Sequence, residues 1–118
     1  MSIEKYWDSA ESSTYADFEN SKKMGNKALF WIIVDYHAKQ LNAAGQEFQS
    51  AKLLYEIDCE NKFRKVLQIF MYSLPMAKGS VVYSSVSVND PGGAVPDKGK
   101  VGHRTWELAC SLKEASRN

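Results

Sequence analysis

The sequence predicts an α+β fold: an antiparallel sheet of about six strands, with one C-terminal helix packed on one face. Three observations carry that prediction. Around residues 53–59 apolar and polar side chains alternate, with Leu53, Tyr55, Ile57 and Cys59 on one face. Lys52, Glu56 and Asp58 share the other, Leu54 being the exception. A tight turn at Glu60–Lys62 then leads into a second β-forming run at 63–73, the pattern of a hairpin. Beyond a Pro/Gly-rich stretch, the tail changes to a helical period.

In chain order, 3–9 and 13–19 are aromatic-bearing strands joined by a short Ser/Glu turn. Residues 20–26 end in Gly25-Asn26, a turn signal. The run KALFWIIVDYH (27–37) places Phe30, Ile32, Val34 and Tyr36 on one face and Leu29, Trp31 and Ile33 on the other. Both faces are apolar, so it reads as a central strand covered on both sides. Residues 38–50 are polar, contain Gly45, and read as a loop. The hairpin at 53–73 follows, and 80–88 reads as a further strand. Residues 89–102 hold two prolines and four glycines and form an irregular connection. In the tail, Trp106, Ala109, Cys110 and Lys113 share one helical face, with Leu108 and Leu112 beside it. Glu107 near the start, and Lys113 and Arg117 near the end, would complement the helix dipole.

A chain of 118 residues, 44% hydrophobic and 25% charged, has the length and composition of one globular domain spanning 1–118. Its net charge of +1 gives no drive toward nucleic acid or an anionic membrane. The longest apolar run, ALFWIIV (28–34), is far short of the ~20 residues that span a bilayer. The opening residues have no apolar stretch of a signal sequence. That leaves a cytosolic protein, or a mature segment whose signal was replaced by Met1. Nothing in the pattern specifies an oligomeric state.

Cys59 and Cys110 are the only cysteines, and His37 and His103 the only histidines. They lie far apart, without the close pairs of a structural zinc site, so no metal or other cofactor is expected. Glu56, Asp58 and Glu60 surround Cys59 with negative charge, which opposes a reactive thiolate. Cys110 lies away from the helix N-terminus that would favour one. The chain therefore reads as non-enzymatic, without a catalytic residue. Buried free thiols and a disulfide both remain open at this level.

Five segments occur in a distinctive order: a tryptophan-bearing opening strand, a run ending VDY, SAKLLYEIDCENKFRKVLQI (50–69), MAKGSVVYS (76–84) and GHRTWELAC (102–110). This order resembles the surface-adhesin protein E family, small envelope proteins of Gram-negative bacteria. The resemblance runs from about Tyr6 to Cys110. It implies a six-stranded sheet whose C-terminal helix is tethered by a Cys59–Cys110 disulfide. It also implies export to the periplasm, outer membrane or cell surface, with a signal peptide absent from this chain. By the same resemblance the protein is an adhesin-like binder of extracellular-matrix or envelope proteins, or alternatively a periplasmic module for a small molecule such as haem. One departure is the segment NDPGGAVPD (89–97), where the family often carries a tryptophan.

Basic residues gather at Lys22, Lys23 and Lys27, at Lys62, Arg64 and Lys65, and at Lys98, Lys100, His103 and Arg104. They read either as solvated surface or as a site for acidic partner segments or a glycosaminoglycan. Candidate partner-binding residues are Lys62, Arg64, Lys65, Tyr36 and His37, the last two also as haem ligands. Trp7, Trp31 and Trp106 read as core or half-buried platforms. Glu56 and Asp58 read as a salt-bridged outer face, with Lys52 or Arg64 as partners.

Overall fold

A computed structural model describes residues 3–114. Six antiparallel strands follow in sequence order as a meander: β1 (Ile3–Asp8), β2 (Ser12–Met24), β3 (Lys27–Leu41), β4 (Glu47–Asp58), β5 (Phe63–Leu74) and β6 (Lys78–Ser85). The two-residue β7 (Gly93–Ala94) adds beside the start of β5, and α1 (Val101–Cys110) closes the chain onto the sheet. Nearest neighbours in sequence are nearest neighbours in the sheet. Short turns are all that such a topology needs.

The core lies between α1 and one sheet face. Ala16, Ala28, Phe30, Ile32, Ile57 and Ala109 are buried there, flanked by Tyr6, Phe18, Val34, Leu53, Tyr55 and Trp106. Cross-strand register explains the composition: Ala16 pairs with Ile32, which pairs with Leu53, and Phe30 pairs with Tyr55. Alternation therefore aims the even residues of β3 and the odd residues of β4 at the helix. Gly102, Thr105 and Ala109 form the buried line of α1.

The cysteines are joined. Cys59 and Cys110 form a disulfide with Cα atoms 5.7 Å apart. It ties the end of β4 to the last residue of the helix.

Several expectations are corrected. The face bearing Leu29, Trp31 and Ile33 has no second layer, because α1 packs on the opposite side. Instead, the Trp31 and Phe70 rings lie 6.2 Å apart and the Lys52 ammonium sits 4.9 Å over Trp31. Residues 38–50 are mostly strand; the turn is only 42–46. The Asn42 carboxamide oxygen accepts the Ala44 and Gln46 N–H groups at 3.0 and 2.9 Å and closes it. β2 likewise continues through 20–24 past an irregularity between Asp17 and Lys22. There the Ser21 hydroxyl donates to the Asp17 carbonyl and accepts the Trp31 N–H, both at 2.8 Å, replacing a missing ladder bond. The helix stops at Cys110. Its first turn holds no acid and its last turn no base, Lys113 lies beyond it and exposed, and Arg117 lies outside the described residues. The dipole-matching charges are therefore not present as expected.

Candidate functional site

The turn between β4 and β5 is built by Asp58. One carboxylate oxygen accepts the Glu60 and Asn61 backbone N–H groups at 3.1 and 2.9 Å, and the other accepts the Asn61 side-chain amide at 3.1 Å. These bonds, led by those from Asn61, hold the Asp58 carboxyl below its ordinary range. Lys62 follows in a left-handed conformation, φ 50°. From it the Lys62 ammonium lies 4.8 Å over the Trp106 ring of α1.

Arg64, two residues on, faces the same side of the sheet. Its guanidinium lies 5.6 Å over the Tyr55 ring, and burial pushes the Tyr55 phenol up from its ordinary value. Two cation–aromatic pairs thus stand side by side where the hairpin meets the helix. Below them is a cavity of about 260 Å³ whose walls include Tyr55, Arg64, Lys65, Asp90 and Gly92. Asp90 shapes this wall. Its two carboxylate oxygens accept the Val66 and Gly92 backbone N–H groups, each at 2.8 Å, which lowers its carboxyl below the ordinary range.

The helix side of the site is held by Tyr6. Thr105 donates its hydroxyl proton to the Val101 carbonyl at 2.9 Å, so the Tyr6 hydroxyl donates to Thr105 at 2.7 Å. Burial pushes the Tyr6 phenol up to about 12. Trp106 lies 5.4 Å from His103, and its indole N–H is buried without an acceptor among the described residues.

The five candidate residues do not form one site. Lys62 and Arg64 come together, whereas Lys65 also reaches across the ladder to Glu56 at 3.8 Å. Glu56 and Asp58 do form a salt-bridged outer face, but their partners are Lys27 and Lys65; Lys52 reaches Asp17 instead. Tyr36 and His37 occupy a different part of the sheet. The Tyr36 ring meets Phe48 edge-on at 5.5 Å. His37 faces Ser13 Oγ with Nε2 and the Ala10 carbonyl with Nδ1, each at 3.0 Å, and Ser13 donates to Asp8. Consecutive strand residues project to opposite faces, so this pair does not converge on one ligand. Tyr55, Trp106 and Asp90 were not among the candidates. Their contribution arises from cross-strand register and helix docking, and the opening WELAC motif gave the only sequence signal for Trp106.

The family is decided by sequence: residues 1–111 match the description surface-adhesin protein E. The chain belongs to the surface-adhesin protein E family. No curated protein and no solved structure matches it. As a protein E-like chain it has the general character of a surface adhesin, a binding protein and not a catalyst. Among the described residues no helix is long and apolar enough to cross a membrane.

Proposed function

We propose that this protein is exported to the envelope of a Gram-negative bacterium and binds extracellular-matrix or envelope proteins through the surface where the β4–β5 hairpin meets α1. One observation carries the reading: Lys62 over Trp106 and Arg64 over Tyr55 put two cations and two aromatic rings on one rim. Aromatic and arginine side chains of this kind anchor protein interfaces, and the cations steer acidic segments toward them. Lys65 and the 260 Å³ cavity extend the rim.

The experiment is a binding titration of the purified protein on immobilised matrix proteins and on envelope extract. The double variant Lys62→Glu/Arg64→Glu is expected to weaken binding about tenfold or more, since both contact and charge reverse. Lys22→Glu, an exposed cation on β2, should leave it unchanged. Equal effects of the two variants, or no binding to either material, would remove the proposal.

A further inference from the structure

The two edges of the sheet differ in kind. β1 carries Glu4, Lys5 and Asp8, and its register with β2 shifts between Lys5 and Trp7. Charges and irregularities of this sort discourage a further strand from pairing. β6 forms the other end of the meander and, among the described residues, pairs only with β5. Its outer edge therefore presents unpaired backbone N–H and C=O groups. Residues 79–88, GSVVYSSVSV, contain neither a charge nor a proline. Val81, Tyr83 and Val86 are 51%, 47% and 65% exposed. By composition and position, β6 is an unprotected edge.

A side-chain pocket lies against that edge. A cavity of about 310 Å³ opens between the Asn42–Ala44 turn, Met71 and Tyr83. Tyr83 and Met71 are cross-strand partners, so the cavity is fixed at one register position of β6. Its volume is at the small end of ligand sites and suits one or two apolar side chains. An open edge for main-chain pairing, with an adjacent pocket for an alternate side chain, is the combination that strand addition uses.

We propose that the outer edge of β6 receives an extended, uncharged segment of a partner protein as an added strand, with one large aliphatic or aromatic side chain seated beside Tyr83. A second copy of this chain fits less well. Antiparallel overlap along the whole of β6 sets Lys78 against Ser85, and so Ser80 opposite Tyr83; serine does not fill the cavity. A heterologous segment is free to carry leucine or phenylalanine at that position. The neutral edge also offers nothing to a charged segment, which separates this surface from the cationic rim at Lys62 and Arg64.

The test is selection from a displayed library of random peptides of about nine residues, the length of one strand, against the intact protein. Peptides competed off by soluble protein are sequenced. Enrichment is expected in β-formers with one large apolar residue at a fixed position and few charges or prolines. Synthetic copies should protect β6 amides from hydrogen exchange. Replacing the apolar residue by glycine should weaken binding roughly ten- to a hundredfold, the effect of losing one buried large side chain. Val81→Lys and Tyr83→Lys change exposed side chains, so an unchanged melting temperature verifies their fold; each should abolish binding, whereas Lys62→Glu/Arg64→Glu should not. The proposal is overturned by no enrichment, by peptides indifferent to the β6 variants, or by acidic peptides lost with Lys62 and Arg64. A β6-dependent dimer in sedimentation that excludes the peptides would assign the edge to a second copy instead.

Discussion

At the scale of single residues, three aspartates act as local fasteners. Asp8 takes the Ser13 hydroxyl, Asp58 closes the β4–β5 turn, and Asp90 holds Val66 and Gly92. Each carboxyl is lowered from its ordinary value of 3.8, chiefly by those hydrogen bonds. A depressed folded value means that the unfolded chain takes up protons first as pH falls. Their contribution is complete above the ordinary carboxylate range and disappears as pH drops through the lowered folded values. Asp90→Asn is therefore expected to melt below the parent at neutral pH, with the two melting curves converging in acid once Asp90 is protonated. A difference that persists or widens in acid would contradict this account. The partners themselves were not legible in the sequence. Asp90 lay in an irregular connection, and Lys52 was expected near Glu56 because both stand on one face of one strand. The ladder, shifted between Asp17 and Lys22 and again between Leu54 and Tyr55, gives Asp17 to Lys52 and Lys65 to Glu56.

At the scale of elements, the alternation of β4 and the even face of β3 were legible because one face packs a helix and the other does not, which writes period two into the sequence. Strand lengths were not legible. Residues 38–41 and 20–24 pair outside the core, where polar side chains cost nothing, so no apolar period marks them. The helix shows a similar contrast: its buried face was readable, its end charges were not. α1 is fastened by Tyr6 at Thr105, by Cys59 at Cys110, and beyond its end by Glu114, whose carboxylate accepts the Gly25 N–H at 2.6 Å. Gly102 sets how closely its first turn sits. A Cβ there would stand 2.7 and 2.8 Å from Pro96 Cγ and Cδ and 3.2 Å from Arg64 Nη1. Alanine gains about 1 kcal/mol of helix propensity over glycine. Overpacking a tight contact costs about 1–3 kcal/mol, and the rigid proline ring leaves little room to yield. Gly102→Ala is thus expected to be net destabilising by about 1 kcal/mol in denaturant unfolding. Val101→Ala, at a position 37% exposed, should stay within about 0.5 kcal/mol of the parent. A more stable Gly102→Ala protein would mean that propensity outweighs packing here.

For the whole molecule, the decisive link joins residues 51 apart in sequence and spans the sheet and the only helix described. Closing a loop of that size removes enough unfolded-state freedom to stabilise the fold by about 4 kcal/mol. Domains of this size have total stabilities of about 5–15 kcal/mol, so the bond is a large share of the margin. Cys110→Ala is expected to shift the urea midpoint down accordingly and to raise the dependence on urea, because the released chain expands more on unfolding. Reductant should lower the parent's midpoint in the same way and leave the variant unaffected; intact mass should rise by two hydrogens. The tether also has a functional consequence, because the proposed binding rim takes Lys62 and Arg64 from the sheet and Trp106 from the helix. Freeing the C-terminal end of α1 loosens Trp106 from Lys62 while the meander, held by its own ladder, stays paired. Partner binding should therefore fall in reductant at temperatures where strand circular dichroism is unchanged. Binding that survives reduction until the sheet itself melts would show that the rim does not depend on the helix.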